Sequence, residues 1–133
     1  MICDGLIQYL IGQASVTSVT GERIRFMNAG SDDLPHVVVT RLSADFNNAL
    51  DGLGELEFTD LDIDCKAETP GVSTALADTI KGLIDDYTGA WGDQTVGAVL
   101  MTAQSDSVEP KSDGSEEMVF VTTLDFTVHH STT

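Results

Sequence analysis

Residues 56–87 read LEFTDLDIDCKAETPGVSTALADTIKGLIDDY, and this stretch decides the fold. Its second half is the clearest helix in the chain. Thr69 is a good N-cap, and Pro70 suits the first helical position. Val72, Ala75, Leu76, Thr79, Ile80, Leu83, Ile84 and Tyr87 then recur at helical spacing. Ser73, Thr74, Asp78, Lys81, Asp85 and Asp86 take the other side. This is a helix laid on a sheet, and Gly89 is expected to end it. The first half alternates as a strand does. Leu56 and Phe58 share one face, whereas Leu61, Ile63 and Cys65 share a face of the opposite parity. One extra residue near Thr59-Asp60 restores the phase, so we expect a β-bulge there.

The flanking sequence extends this plan. Ile2, Leu6, Ile7, Leu10 and Ile11 predict a short helix with Asp4 in its first turn and Gly12 as its stop. Gln13–Thr20 reads as a polar connection. Arg23–Met27 alternates as a short strand, and residues 28–33 are a loop by composition. Pro35 suits a strand's first position, and His36–Leu42 is a β-branched run. Asp45–Gly54 is expected to turn. Thr95–Gln104 and Glu117–His130 predict two further strands, joined by a polar loop over Ser105–Ser115. The last strand places Met118, Phe120, Thr122, Leu124, Phe126 and Val128 on one face. The order α, β, β, β, α, β, β predicts an α+β fold. Its antiparallel or mixed sheet has about five strands, with two helices packed on one face and a long C-terminal hairpin. We expect one domain over residues 1–133.

The chain carries 22 acidic and 6 basic residues, for a net charge of −16. Gripping nucleic-acid phosphates needs clustered Lys and Arg, so that class is excluded. Docking on anionic membranes is disfavoured for the same reason. No apolar run approaches the ~20 residues that span a bilayer. Met1–Gly12 has Asp4 and no Lys or Arg, and is expected to belong to the fold rather than to a secretory leader. Asp outnumbers Glu 15 to 7. Such acidity fits a saline habitat, where salt screens the self-repulsion, or simply a soluble surface. Two cysteines, Cys3 and Cys65, make no disulfide scaffold and are expected as buried thiols.

Few constellations carry chemistry. Asp60, Asp62 and Asp64 alternate as in the start of a calcium loop, but that loop needs Gly at its sixth position and Glu at its twelfth. Here those positions are Cys65 and Gly71, and the solvent face of a strand is the better reading. His129 and His130 are neighbours on a strand and point to opposite faces. Neither a zinc spacing, nor a nucleophile elbow, nor a phosphate-cradling glycine loop is present. No catalytic residue, metal or cofactor is expected, and the chain is not expected to be an enzyme. Trp91 is a candidate interface aromatic or a plug for the end of the core.

Taken in order, these segments resemble the tail completion, or tail terminator, proteins of long-tailed phages. A short N-terminal helix leads through Val16 and Val19 to Gly21-Glu22-Arg23-Ile24, similar to the family's Gly-acid-Arg-Ile turn into its first strand. Leu34-Pro35-His36-Val37-Val38 is similar to its Leu-Pro-aromatic-Val-Val segment, with His36 in place of the aromatic residue. Leu50-Asp51-Gly52 precedes the alternating strand Leu61–Ala67, and an amphipathic helix and a closing hairpin follow. The resemblance covers nearly the whole chain. It implies a virion protein of the tail and neck, assembled in the host cytoplasm, that forms a homohexameric ring at the head-proximal end of the tail tube. Such a ring ends tube polymerisation and joins a neck or connector protein, and DNA passes through its lumen without specific binding. On that reading Asp60, Asp62 and Asp64 are candidate lumen or ring-surface acids. Asp106, Glu109, Asp113 and Glu116 form a candidate assembly loop. The alternatives are another neck component, such as a head-closure or connector adaptor, a small acidic ligand-binding domain, and an acidic mimic of DNA.

Overall fold

The computed structural model describes residues 2–27, 33–48, 55–111 and 117–131. Three helices, α1 (Ile2–Ile11), α2 (Ala14–Thr20) and α3 (Pro70–Ile84), accompany six strands. The strands are β1 (Ile24–Phe26), β2 (His36–Asn48), β3 (Glu55–Ala67), β4 (Gly89–Trp91), β5 (Gln94–Pro110) and β6 (Met118–Ser131). They form one mixed sheet in the order β1-β2-β3-β6-β5-β4, with β1 parallel to β2 and every other pair antiparallel. The α+β expectation holds, with one more strand and one more helix than the sequence reading counted.

A single core lies between the helices and one face of the sheet. Leu6, Leu10, Val16, Leu76, Ile80 and Ile84 come from the helices. Val37, Val39, Leu61, Ile63, Cys65, Leu124, Phe126 and Val128 come from the strands. Both cysteines are free and buried. Burial pushes the Cys3 thiol up to about 11 and raises that of Cys65 as well, so both stay protonated.

Several boundaries differ from expectation, each for a physical reason. Gln13–Thr20 is largely helical rather than a connection. Its β-branched residues are weak helix formers, but Val16 and Thr20 are buried where α2 meets α1 and α3. The expected turn from Asp45 is still strand through Asn48, because Asn47 and Asn48 pair with Leu56 and Glu55. The bulge lies on the neighbouring strand: the ladder slips between Arg41 and Ser43, leaving Leu42 over opposite Asp60-Leu61. β3 itself keeps its phase, with Thr59, Leu61, Ile63, Cys65 and Ala67 all buried. Phe58 is on the other face, its ring 4.5 Å from that of His129.

Thr69 caps α3 as expected, its hydroxyl accepting the Val72 N–H at 3.3 Å. The helix stops at Ile84 rather than at Gly89. The Asp85 N–H closes on the Lys81 carbonyl, Asp86 turns left-handed at φ 58°, and Gly89 opens β4. The buried stripe is Ser73, Leu76, Ala77, Ile80 and Ile84, so Val72 and Ala75 face solvent. Small Ser73 and Ala77 let the helix approach β6, where Ser73 and Thr122 place their hydroxyl oxygens 3.1 Å apart. The expected loop from Ser105 is β-strand as far as Pro110, since β6 pairs with it throughout. On β6 the buried even positions begin at Thr122. Met118 is exposed and Phe120 half-buried, whereas Val119 and Val121 are buried on the opposite face.

α1 meets β4 through glycine. A Cβ on Gly5 would sit 2.2 Å from the Trp91 carbonyl oxygen and 2.9 Å from the Gly92 nitrogen. Gly92 itself has φ +64° and makes the tight turn into β5. Gly5→Ala forces two backbones apart and is expected to destabilise by about 2–3 kcal/mol. Gly82→Ala, in α3 with nothing within 4 Å, is expected to stabilise by about 0.5–1 kcal/mol. Urea unfolding of the two variants measures both effects.

Candidate functional site

The helices cover one face of the sheet, and the chain's acidic strand faces the other way. Asp60, Asp62 and Asp64 occupy alternate positions of β3, all half-buried on that second face. The register sets them opposite Thr127, Asp125 and Thr123 of β6. Thr127 donates a hydroxyl hydrogen bond to Asp60 Oδ1 at 2.6 Å, and Ser43 donates to Oδ2 at 3.0 Å. Thr123 donates to Asp64 Oδ1 at 2.7 Å. The outer two carboxylates are thus held by neutral donors.

The central one is opposed by a like charge. Asp62 is pushed up to about 7, first by burial, then by the hydrogen bond it shares with Asp125, then by repulsion from Asp125 and Asp64. A second carboxylate beside it makes the Asp62 carboxyl harder to ionise. Among the described residues, Asp62 Oδ1 has no hydrogen-bond partner. No group of three or more His, Cys, Asp or Glu among the described residues is arranged to hold a metal ion.

Of the candidate assembly acids, the two described, Asp106 and Glu109, are on opposite faces of β5. Asp106 is on the helix side of β5 and accepts the Thr122 hydroxyl at 2.8 Å. It lines a cleft of about 290 Å³ with Pro70, Ser73, Thr74, Val108 and Phe120. Glu109 is on the acidic face, bonded to Lys66 at 2.9 Å. Lys66 pairs with Val121 and Glu109 with Val119, so this ion pair bridges β6 and covers both valines. Asp113 and Glu116 lie outside the described residues.

Trp91 is corrected from interface to core. It is 0% exposed, which leaves no surface for a partner. Its ring stacks on Tyr87 at 5.1 Å and lies 6.1 Å from Tyr9. The two readings offered for this residue resolve to the second, a plug at the end of the core.

Two groupings escaped the sequence reading. One is Thr123-x-Asp125-x-Thr127, the β6 partner of the acidic ladder, whose matching alternation was the available signal. The other is buried at the end of the core. Thr59 Oγ1 lies 2.7 Å from His130 Nε2, and Gln94 Oε1 lies 2.8 Å from His130 Nδ1. A hydroxyl, an imidazole and an orienting amide have the order of a nucleophilic triad. All three are buried, at 1%, 2% and 7% exposure, so the arrangement fixes the core rather than meeting a substrate. Burial lowers the His130 pKa, which keeps the ring neutral.

The sheet's sides are open. β1 pairs only with Val37–Val39 of β2, and β4 only with Gln94–Val96 of β5. Among the described residues, β2 beyond Val39 and β5 beyond Val96 have no outer neighbour. Large apolar side chains lie exposed along both, Met27 and Leu42 on one side and Leu100 and Val108 on the other.

No family model matches this chain, and no curated protein does. A solved structure does. The fold is similar to that of a chain in the virion of a native gene transfer agent particle, with a TM-score of 0.64. The match covers 95% of this chain and 91% of that one, at 13% identity. At that identity the likeness is one of fold. No described helix is long and apolar enough to cross a membrane.

The carboxylate pair gives a pH signature. The unfolded Asp62 releases its proton near 3.8, the folded one near 7. Between these values the folded chain binds more protons than the unfolded chain, so stability falls as pH rises through the window and levels off above it. Asp62→Asn supplies the shared hydrogen permanently. After discounting for solvent screening, it is expected to add on the order of 1 kcal/mol at pH 8 and almost nothing at pH 4. Thermal melts at the two pH values check this, and an equal gain at both refutes the raised Asp62 carboxyl.

Proposed function

We propose that the protein is a structural component of a phage-like virion, a tail terminator that closes the head-proximal end of a tail tube as a homohexameric ring. The observation that carries this reading is the fold match along nearly the whole of both chains to a component of a gene transfer agent virion. The order of motifs from the N-terminal helix to the closing hairpin supports the finer assignment. So does the division of the sheet into a helix-covered face and an acidic one. A compact chain of this length has a radius of gyration of about 14 Å. Six such bodies in a ring enclose a hole about one subunit wide, enough for a duplex. Turned inward, Asp60, Asp62, Asp64 and Asp125 repel phosphates and keep DNA from sticking in transit. Self, a tube protein and a neck protein are the partners on this reading, and no catalytic step or cofactor is required.

Light scattering at low and at molar salt, with and without assembled tail tubes as template, tests the ring. The expected outcome is a discrete species near six times the 14.2 kDa chain mass, favoured by salt that screens the −16 charge. A monomer under all of these conditions overturns the proposal. Capped tubes of constant length in the electron microscope separate a terminator from a neck adaptor, which leaves tube length unchanged.

A further inference from the structure

The two sides of the sheet are stepped, and the steps are complementary. Strand pairing fixes what lies level with what. Arg25 of β1 pairs with Val38, Val38 with Asp64, Asp64 with Thr123, and Thr123 with Ser105 of β5. β1 therefore widens the sheet on the β2 side at the level of Gln104–Asp106. On the β5 side that level has no outer strand among the described residues. β4 does the converse. Gly89 pairs with Val96, Val96 with His130, His130 with Glu57, and Glu57 with Phe46. β4 therefore widens the β5 side at the level where β2 has no outer strand. A second copy moved sideways in the plane of the sheet fits both steps at once. Its β1 fills the place beside the free half of β5, and the first copy's β4 fills the place beside the free half of its β2.

Direction and charge agree with this seating. β1 runs with β2, and β5 runs against it through β3 and β6, so β1 of the neighbour meets β5 antiparallel, the pattern of tight ladder pairing. All three arginines of the chain, Arg23, Arg25 and Arg41, are on the β1–β2 flank. Asp106 and Glu109 are on β5. In a chain of net charge −16, copies repel unless cations lie at the contact, and Arg23 and Arg25 bring cations there beside Glu22, whereas Asp106 already accepts the Thr122 hydroxyl and Glu109 is bonded to Lys66.

We infer that the occupant of the free β5 edge at residues 104–106 is β1 of a second copy of this chain, in a head-to-tail contact that repeats around a ring. The inference rests on the proposed self-assembly and names its surface. All copies then turn their Asp60-Asp62-Asp64 face to the same side of the wall.

Arg25→Cys and Ser105→Cys place thiols at level, exposed positions, while the native thiols are buried and protonated. Mixing the two single variants and oxidising is expected to yield a cross-linked heterodimer. The double variant is expected to yield a ladder ending at a closed ring. Amide exchange of the unmodified chain is the second measurement, with the outward amides of residues 104–106 expected to slow at least tenfold on assembly. A discrete ring that shows neither the cross-link nor the protection overturns this contact and leaves the terminator reading standing. Cross-linked Arg25→Cys homodimers overturn it in favour of a two-fold contact. A monomer under every condition overturns both.

Discussion

The antiparallel pairing of β3 with β6 is the constraint on which the rest of the structure depends. Twelve residue pairs run from Leu56–Ser131 to Ala67–Phe120. Because side chains alternate, one register decides both faces at once. It sets Leu61 against Phe126 and Ile63 against Leu124 under the helices. It sets Asp60, Asp62 and Asp64 against Thr127, Asp125 and Thr123 on the other side. A slip of one residue would bury the carboxylates and expose the core. The hydroxyl–carboxylate bonds on the second face reinforce the register that the apolar face demands. Outward of this pair, β2 runs back along β3 and β5 along β6, β4 lies antiparallel to β5, and β1 alone lies parallel to its neighbour, β2.

What was legible in the sequence follows from how local each cause is. α3 was legible because Thr69 and Pro70 act within one turn of it and its apolar residues recur every three or four positions. β3 was legible because Leu61, Ile63 and Cys65 alternate with aspartates. α2 was not, because Thr and Val favour strands in isolation and only packing of Val16 into the core makes them helical. The outer half of β5 was not, because Ser105, Asp106 and Ser107 carry loop composition and only the ladder with β6 holds them extended. The bulge was felt as a broken phase but assigned to the wrong strand, since Phe58 is satisfied by His129 across the sheet.

The candidate site was half legible for the same reason. The three aspartates of β3 announced themselves by spacing. Asp125, the residue that changes their chemistry, is 63 positions further along than Asp62, and no local pattern joins the two. Trp91 shows the converse. Its place after a helix and beside glycines fitted an interface or a plug, and the close passage of Gly5 over its backbone settles it as core.

The Asp62–Asp125 pair has one more consequence, for how the acidic face behaves beside another charged body. A fixed row of negative charges repels every polyanion with the same strength. A carboxyl raised toward neutrality, as Asp62 is, is instead a local buffer. An approaching polyanion makes ionisation costlier, Asp62 takes up more proton, and the face loses charge as the distance shrinks. Repulsion then grows less steeply at contact than at range. The face regulates its own potential, soft at contact and firm at range.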